Sequence, residues 1–262
     1  MKRTLVKKRP VVCNLSRREM LRLSGATVAT ALMGSSLGQP GSKEPTGVST
    51  QRPTGTTTAA TRSCLMRPRQ MEGPYFVDEQ LNRSDIRVEP SDGSVKEGVP
   101  VRLVFHISRI ADSSCTPLNG ALVDVWQCDA LGIYSGVQDI NGLFDTRGKK
   151  FLRGYQIAGA SGTAQFTTVY PGWYPGRTVH IHFKIRTDPA AQRGFEFTSQ
   201  LYFDDAITGQ VHAQAPYATK GPRPLKNNRD YIFRSGGNQL MLLLTKDAQG
   251  YVGTFDVGLQ IT

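Results

Sequence analysis

The chain lacks a long apolar run, an internal repeat and, beyond its first forty residues, any sustained helical period. The most apolar stretch, residues 21–37, is interrupted by Arg22 and several Gly and Ser, which leaves it too short and too polar for a membrane span. Histidine and cysteine are scarce, four of each in 262 residues, so any site that uses them has few to draw on. Acidic side chains are outnumbered by basic ones, 21 to 32, for a net charge of +11. That excess is local. The first 44 residues hold nine Lys/Arg against two Asp/Glu, and the remainder holds 23 against 19. A folded domain so close to balance has no basic stripe for nucleic acid, and no nucleic-acid partner is expected. The length suffices to bury a core, as one large all-β domain or two small ones.

The N-terminus reads as an address. Lys2, Arg3, Lys7, Lys8 and Arg9 form a basic leader, and Ser16-Arg17-Arg18-Glu19-Met20-Leu21 with the apolar run behind it resembles a twin-arginine export signal. An exposed basic amphipathic helix is the alternative. No A-x-A cleavage site or lipid-acceptor Cys follows, so contact with a membrane is expected only during export or through an uncleaved signal. Residues 39–62 are rich in Pro, Gly, Thr and Ser with almost no large apolar side chain, and cannot bury enough surface to fold. The chain therefore divides into a signal segment at 1–38, a linker at 39–62 and an exported, periplasmic or extracellular domain at 63–262. Cys13 falls in the signal. In an oxidising compartment a Cys64–Cys115 disulfide is expected, tying the first segment of the domain to the loop before a strand and leaving Cys128 as a buried thiol; three unpaired thiols are the alternative.

From Cys64 onward the signals are those of strands. Residues 178–187 (TVHIHFKIRT) alternate strictly, with Val179, Ile181, Phe183 and Ile185 apolar and His180, His182, Lys184 and Arg186 polar, the pattern of a half-buried strand. The period of two sends both imidazoles to the face away from the core, where side by side they make a metal half-site. Residues 101–108 alternate in the same way and leave His106 on the outer face. Residues 121–128, 199–203, 239–245 and 251–259 are further candidates, separated by turns such as Asp139-Ile-Asn-Gly142. Short strands with long loops predict an all-β, antiparallel β-sandwich whose loops carry the function. His106 and His212 match no motif and are expected to be exposed.

Two clusters stand out. Tyr170-Pro-Gly-Trp-Tyr-Pro-Gly-Arg-Thr-Val-His-Ile-His-Phe183 places Tyr174 and Arg177 in a Pro/Gly-punctuated turn just ahead of His180 and His182. Upstream, the strand at 121–128 runs into an Asp129–Gly132 turn that presents Tyr134. Together, G-A-x-V-D-V-W-x-x-D-A-x-G-x-Y-S-G and P-G-W-Y-x-G-R-x-x-H-I-H-F resemble the intradiol ring-cleavage dioxygenases, the family of catechol, hydroxyquinol and protocatechuate dioxygenases. The resemblance runs from about Glu72 to the Gln200-Leu-Tyr-Phe203 strand.

The resemblance implies a non-haem Fe(III) cofactor held by Tyr134, Tyr174, His180 and His182, with Arg177 as the active-site arginine and Gln200 as a nearby glutamine. Tyr170 is not at a ligand position. It implies a catechol-type substrate and O2 as partners, Tyr174 leaving the metal and taking up a substrate proton, and a cis,cis-muconate product. The turn Gly73-Pro74-Tyr75 is expected to line the substrate pocket, a structural turn being the alternative. Two phenolates and two imidazoles form a hard, anionic donor set that suits Fe(III) better than Zn or Cu(I). A trivalent ion would hold phenols with an ordinary pKa near ~10 deprotonated at neutral pH. Twin-arginine export, which carries folded proteins, fits a metal acquired in the cytoplasm.

The chain also departs from the family. Gln127 replaces a histidine often found after the tryptophan, and is expected to tune the surroundings of the site. Signal and linker occupy the place of the helical domain through which catechol dioxygenases dimerise, so their oligomeric state and lipid tunnel do not carry over. Two other readings compete: a secreted β-sandwich binding module for polyphenol or carbohydrate with no turnover, and a dismutase-like Cu or Zn site on His180 and His182. The second lacks a third nearby histidine.

Overall fold

In the computed structural model, residues 64–112, 114–187 and 194–261 are described. The export-signal and linker segments and Cys13 lie outside the described residues.

Alternating Val, Leu, Ile and Phe build two sheets. The first is centred on β1 (Pro100–Ala111), which pairs along one edge with β9 (Tyr251–Gln260) and along the other with β5 (Thr163–Val169) and then β2 (Ser114–Pro117); β8 (Leu243–Lys246) extends it beyond β9. The second has the order β4 (Arg153–Ile157), β3 (Leu122–Trp126), β6 (His180–Arg186), β7 (Glu196–Tyr202) and is antiparallel throughout. The fold is an all-β sandwich. The β1–β9 pair is parallel, a departure from a purely antiparallel sandwich: the chain reaches β9 only after a long excursion through residues 203–250 and enters the open edge of β1 in the same direction.

The sheets meet through one parity of their strands. Val101, Leu103, Phe105 and Ile107 of β1 pack with Val123 and Val125 of β3 and with Ile181, Phe183 and Ile185 of β6 in one buried cluster. Phe105, Phe183 and Phe255 sit at its centre with ring centroids 5.2–6.2 Å apart. Each such side chain removed from water stabilises the fold by about 1.5–3 kcal/mol.

β6 is not half-buried. Every residue from His180 to Ile185 is buried, because the polar face of this sheet is roofed by residues 70–78. Lys184 holds that roof through Glu72 (2.5 Å) and lies 4.1 Å from the ring centre of Phe76; Arg186 binds Asp78 (3.0 Å) and Asp124 (2.9 Å). Phe76 packs edge-on against Trp126 at 4.8 Å.

The apolar run 239–245 yields a strand only from Leu243. Its first part is a 3-10 turn, Gly237–Leu240, entered through Gly236 at a φ of +99°, and Leu240 and Leu242 pack into the core. Helices are short. In α1 (Asp205–His212) the Asp204 carboxylate accepts from the Ala206 and Ile207 amides, and in α2 (Tyr231–Arg234) Asp230 caps the Ile232 and Phe233 amides. Cys64 and Cys115 form a disulfide with Cα atoms 6.0 Å apart, and Cys128 is a buried free thiol.

Two histidines differ from expectation. His106 is partly covered and pairs with Asp256 at 2.8 Å. His212 is buried, stacked on Tyr217 with centroids 5.1 Å apart, its Nε2 on the Pro171 carbonyl. Each is covered by a partner that the fold supplies, Asp256 for His106 and Tyr217 with the Pro171 carbonyl for His212.

Candidate active site

The roofed face of the second sheet carries a row of cross-strand partners, Arg153, Trp126, His182 and Gln200, with His180 opposite Tyr202 one step along. Register alone therefore assembles most of the site. Trp126 lies flat on His182, centroids 5.0 Å apart at an interplanar angle of 7°, and fixes that ring. On the other side Gly73, at a φ of +78°, comes so close that a Cβ there would stand 3.2 Å from His182 Cε1; the turn needs glycine for both its backbone and its contact.

Two loops bring the tyrosines. Tyr134 follows a turn held by Asp129, whose carboxylate accepts from the Leu131 and Ile133 amides (3.0 Å each). Tyr174 follows the Pro171-Gly172 bend. The loops interlock at Gly172, where a Cβ would fall 2.3 Å from the Ala130 carbonyl, and Gly172 donates to the Asp129 carbonyl at 3.0 Å. The Tyr134 and Tyr174 rings meet edge-on with centroids 5.6 Å apart, and Tyr75 stacks at 4.7 Å from Tyr134.

His180 donates from Nδ1 to the Thr178 carbonyl at 2.6 Å, which leaves Nε2 with a lone pair. Tyr174 Oη and His182 Nε2 each lie 3.0 Å from it, and Arg177 Nη1 lies at 3.4 Å. One lone pair cannot serve three such neighbours. The Tyr134 hydroxyl, fully buried, has no hydrogen-bond partner. An orphaned phenol beside two imidazole nitrogens and a second phenol is a donor set that a cation would satisfy, and hard oxygen with imidazole fits Fe(III). Among the described residues no group of three or more His, Cys, Asp or Glu could hold a metal.

Burial dominates the electrostatics. It pushes the Tyr134 phenol well above its ordinary pKa, with Tyr174 and Cys128 adding to the shift, and it raises Tyr174 against the opposing charge of Arg177. Burial and the Arg177 charge hold His180 neutral well below the usual imidazole range; burial, His180 and Arg177 do the same for His182. Arg177 stays charged: burial acts against it, and Tyr174 and Asp230 outweigh that effect. Its Nε donates to Asp230 at 2.9 Å and its Nη2 to Gln200 Oε1 at 2.6 Å. Gln200 in turn donates to the Met71 carbonyl at 2.9 Å.

Of the residues singled out in the sequence, Tyr134, Tyr174, Arg177, His180, His182 and Gln200 come together here, with the Gly73-Pro74-Tyr75 turn as a wall of the adjoining cavity. Tyr170 does not; its hydroxyl bonds Thr208 at 2.8 Å inside the core. Gln127 points away from the site, accepting from Thr168 (2.9 Å) and donating to the Val169 carbonyl (2.8 Å), so it ties β3 to β5 instead of tuning the centre.

Three participants carried no signal in the sequence. Asp230 is fully buried and serves at once as Arg177 partner and helix cap. Asp139 accepts the Tyr75 hydroxyl at 2.5 Å. Arg153, 3% exposed, donates to the carbonyls of Ser135 and Tyr75 and to Ser135 Oγ, joining the Tyr134 turn to the Tyr75 wall; burial lowers its pKa to about 10.

Comparison with known proteins identifies the family. The family model Dioxygenase_C, described as dioxygenase, matches residues 71–219, more than half of the chain. The solved intradiol ring-cleavage dioxygenase of Tetranychus urticae is 30% identical with a TM-score of 0.63, over 75% of this chain and 95% of that one. The protocatechuate 3,4-dioxygenase beta chain of Burkholderia cepacia is 31% identical over 52% of this chain and 59% of its own, and the catechol 1,2-dioxygenase of Candida albicans 32% identical over 56% and 50%. The chain thus spans little more than half the length of those two relatives. From the matched domain and the shared sandwich, the chain belongs to the intradiol ring-cleavage dioxygenase family.

Proposed function

We propose that this protein is an exported Fe(III)-dependent enzyme that opens a catechol-type ring between its two hydroxylated carbons, inserting both atoms of O2 to give a cis,cis-muconate-type dicarboxylate. The observation that carries the reading is the convergence of Tyr134, Tyr174, His180 and His182, with the Tyr134 hydroxyl buried and unpartnered. Those four side chains would hold the metal, which when bound supplies a Lewis acid that draws electron density from the chelated catechol and readies the ring for O2.

The remaining work falls to the chain itself. Tyr174 Oη is placed against His180 Nε2 and beside the cavity, so in the phenolate form that a bound trivalent ion would enforce it could take a proton from an entering catechol hydroxyl. Arg177 is a fixed cation 3.4 Å from His180 Nε2 and stabilises negative charge that develops on substrate carbon and oxygen. Asp230 and Gln200 hold its fork in one orientation. Trp126 and Gly73 keep His182 from rotating, and the apolar walls exclude water.

Export rests on the twin-arginine-like segment ahead of a linker at 39–62, with the folded domain read from residue 63. The Cys64–Cys115 disulfide supports an oxidising compartment. Catechols met outside the cytoplasm, of plant or lignin origin, are the natural substrates of such an enzyme.

The reading is tested by oxygen uptake and product mass with catechol under 18O2. One O2 consumed per catechol and two labelled oxygens in a ring-opened diacid are expected. A single labelled oxygen, or no uptake with iron bound, would contradict it.

A further inference from the structure

The cavity that opens beside Tyr174, Arg177 and His182 is larger than a catechol needs. Its volume is about 670 Å³. A catechol has eight non-hydrogen atoms, and even at the ~30 Å³ liquid share of a water molecule for each it fills only about 240 Å³. Cavities of several hundred Å³ enclose ligands of two or more rings. The surplus is apolar: Leu131, Ile140, Leu143, Phe144, Trp173 and Ile232 line it. Ile140 and Leu143 are 73% and 65% exposed, so the greasy lining continues out to the mouth, where showing it to water gains nothing.

The charged groups in the lining are already engaged. Arg177 is bound to Asp230 and Gln200. Lys220 Nζ donates to the Leu131 and Trp173 carbonyls and lies over the Trp173 ring. Asp139 accepts the Tyr75 hydroxyl and the Asn141 and Leu143 amides. Among the described residues, a substrate carboxylate would have to compete for Arg177 and Lys220 with the protein acceptors that already hold them, and Asp139 opposes one.

Resting on the ring-cleavage reading above, we propose that the preferred substrate is an uncharged catechol bearing a second ring or a comparably large apolar substituent. Its dihydroxylated ring sits at the tyrosine–histidine cluster, and its substituent packs against Trp173, Ile140 and Leu143. A carboxylated catechol such as protocatechuate is disfavoured by the same lining.

The test compares catechol, protocatechuate and 4-phenylcatechol on the iron-loaded full chain, with anaerobic calorimetry of the metal-free protein alongside. The expected result is a kcat/KM for 4-phenylcatechol at least tenfold above catechol, carried by KM, and for protocatechuate at least tenfold below. Metal-free protein should bind 4-phenylcatechol at least tenfold more tightly than catechol. Leu143→Glu and Ile140→Glu should each collapse the ratio of 4-phenylcatechol to catechol towards one. Cleavage of catechol as efficient as that of 4-phenylcatechol, with equal affinities in calorimetry, overturns the substrate assignment and leaves the ring-cleavage reading standing. Tight calorimetric binding of 4-phenylcatechol with no cleavage of any catechol overturns the reaction instead.

Discussion

The two faces of β6 are buried to the same degree from His180 to Ile185 and held by opposite physics. On one face Ile181, Phe183 and Ile185 meet the other sheet, and burial itself is stabilising. On the other, His180, His182 and Lys184, with Gln200 of β7 beside them, are equally shielded, and burial is a cost that polar groups offset by finding partners. The Tyr134 hydroxyl and His182 Nδ1 find none, and His180 Nε2 is crowded by three neighbours. The lesson is that neighbouring residues on one strand can differ completely in what a substitution does.

Adjacent residues of β6 give the sharpest break. Phe183→Ala should cost about 3–5 kcal/mol of stability in urea unfolding while the folded fraction still binds iron. His182→Ala should instead strip the iron, read by metal analysis, and lower turnover more than about 100-fold, since residues that only orient metal ligands are already worth 10–100-fold. Equal loss of stability in both would erase the distinction between the faces.

Arg177→Lys comes next. It keeps the charge but cannot reproduce the fork between Asp230 and Gln200, and a fall in kcat of about 10²–10³ with iron content unchanged is expected in steady-state assays. Retained kcat would remove Arg177 from the chemistry.

The buried imidazoles also make the metal-free protein sensitive to acid. Burial, with Arg177, holds His180 and His182 neutral when folded, whereas in the unfolded chain they take protons below about pH 6.5. The unfolded state then binds more protons, so stability is complete above that pH and falls below it, by up to about 1.4 kcal/mol per pH unit for each imidazole. Urea midpoints at pH 7.5 and 5.5 measure the fall, and His182→Asn should flatten it. The smallest effect belongs to the rim: Asp78→Ala removes a partly exposed partner of Arg186 and should cost only about 0.2–1 kcal/mol.

How much of this could be read from the sequence follows from the range of each interaction. β6 and β3 were legible because strict alternation and the turn before Tyr134 are local. The long strands β1 and β9 were legible for the same reason. β2, four exposed residues, and β4, five residues starting at Arg153, carry no apolar alternation, and their pairing is dictated by neighbours distant in sequence. β5 alternates only weakly, with Thr at several of its positions. Five of the six residues of the centre lie in two compact motifs, and Gln200 lies in the strand where the resemblance ends, so all six could be named. Asp230, Asp139 and Arg153 could not, because each acts across 18 to 78 residues of sequence on a partner that only the fold supplies. His212 misled because nothing local signals that Tyr217 will stack on it.

The central claim, that two phenols and two imidazoles bind iron and present it to a catechol, is tested most directly by the visible absorption spectrum of the iron-loaded protein before and after anaerobic addition of catechol. The account predicts a broad tyrosinate-to-Fe(III) band that moves to longer wavelength with catechol and is weakened and shifted in Tyr134→Phe and in Tyr174→Phe proteins that still fold. A protein that stays colourless after iron loading, or a band unchanged in both variants, would contradict it.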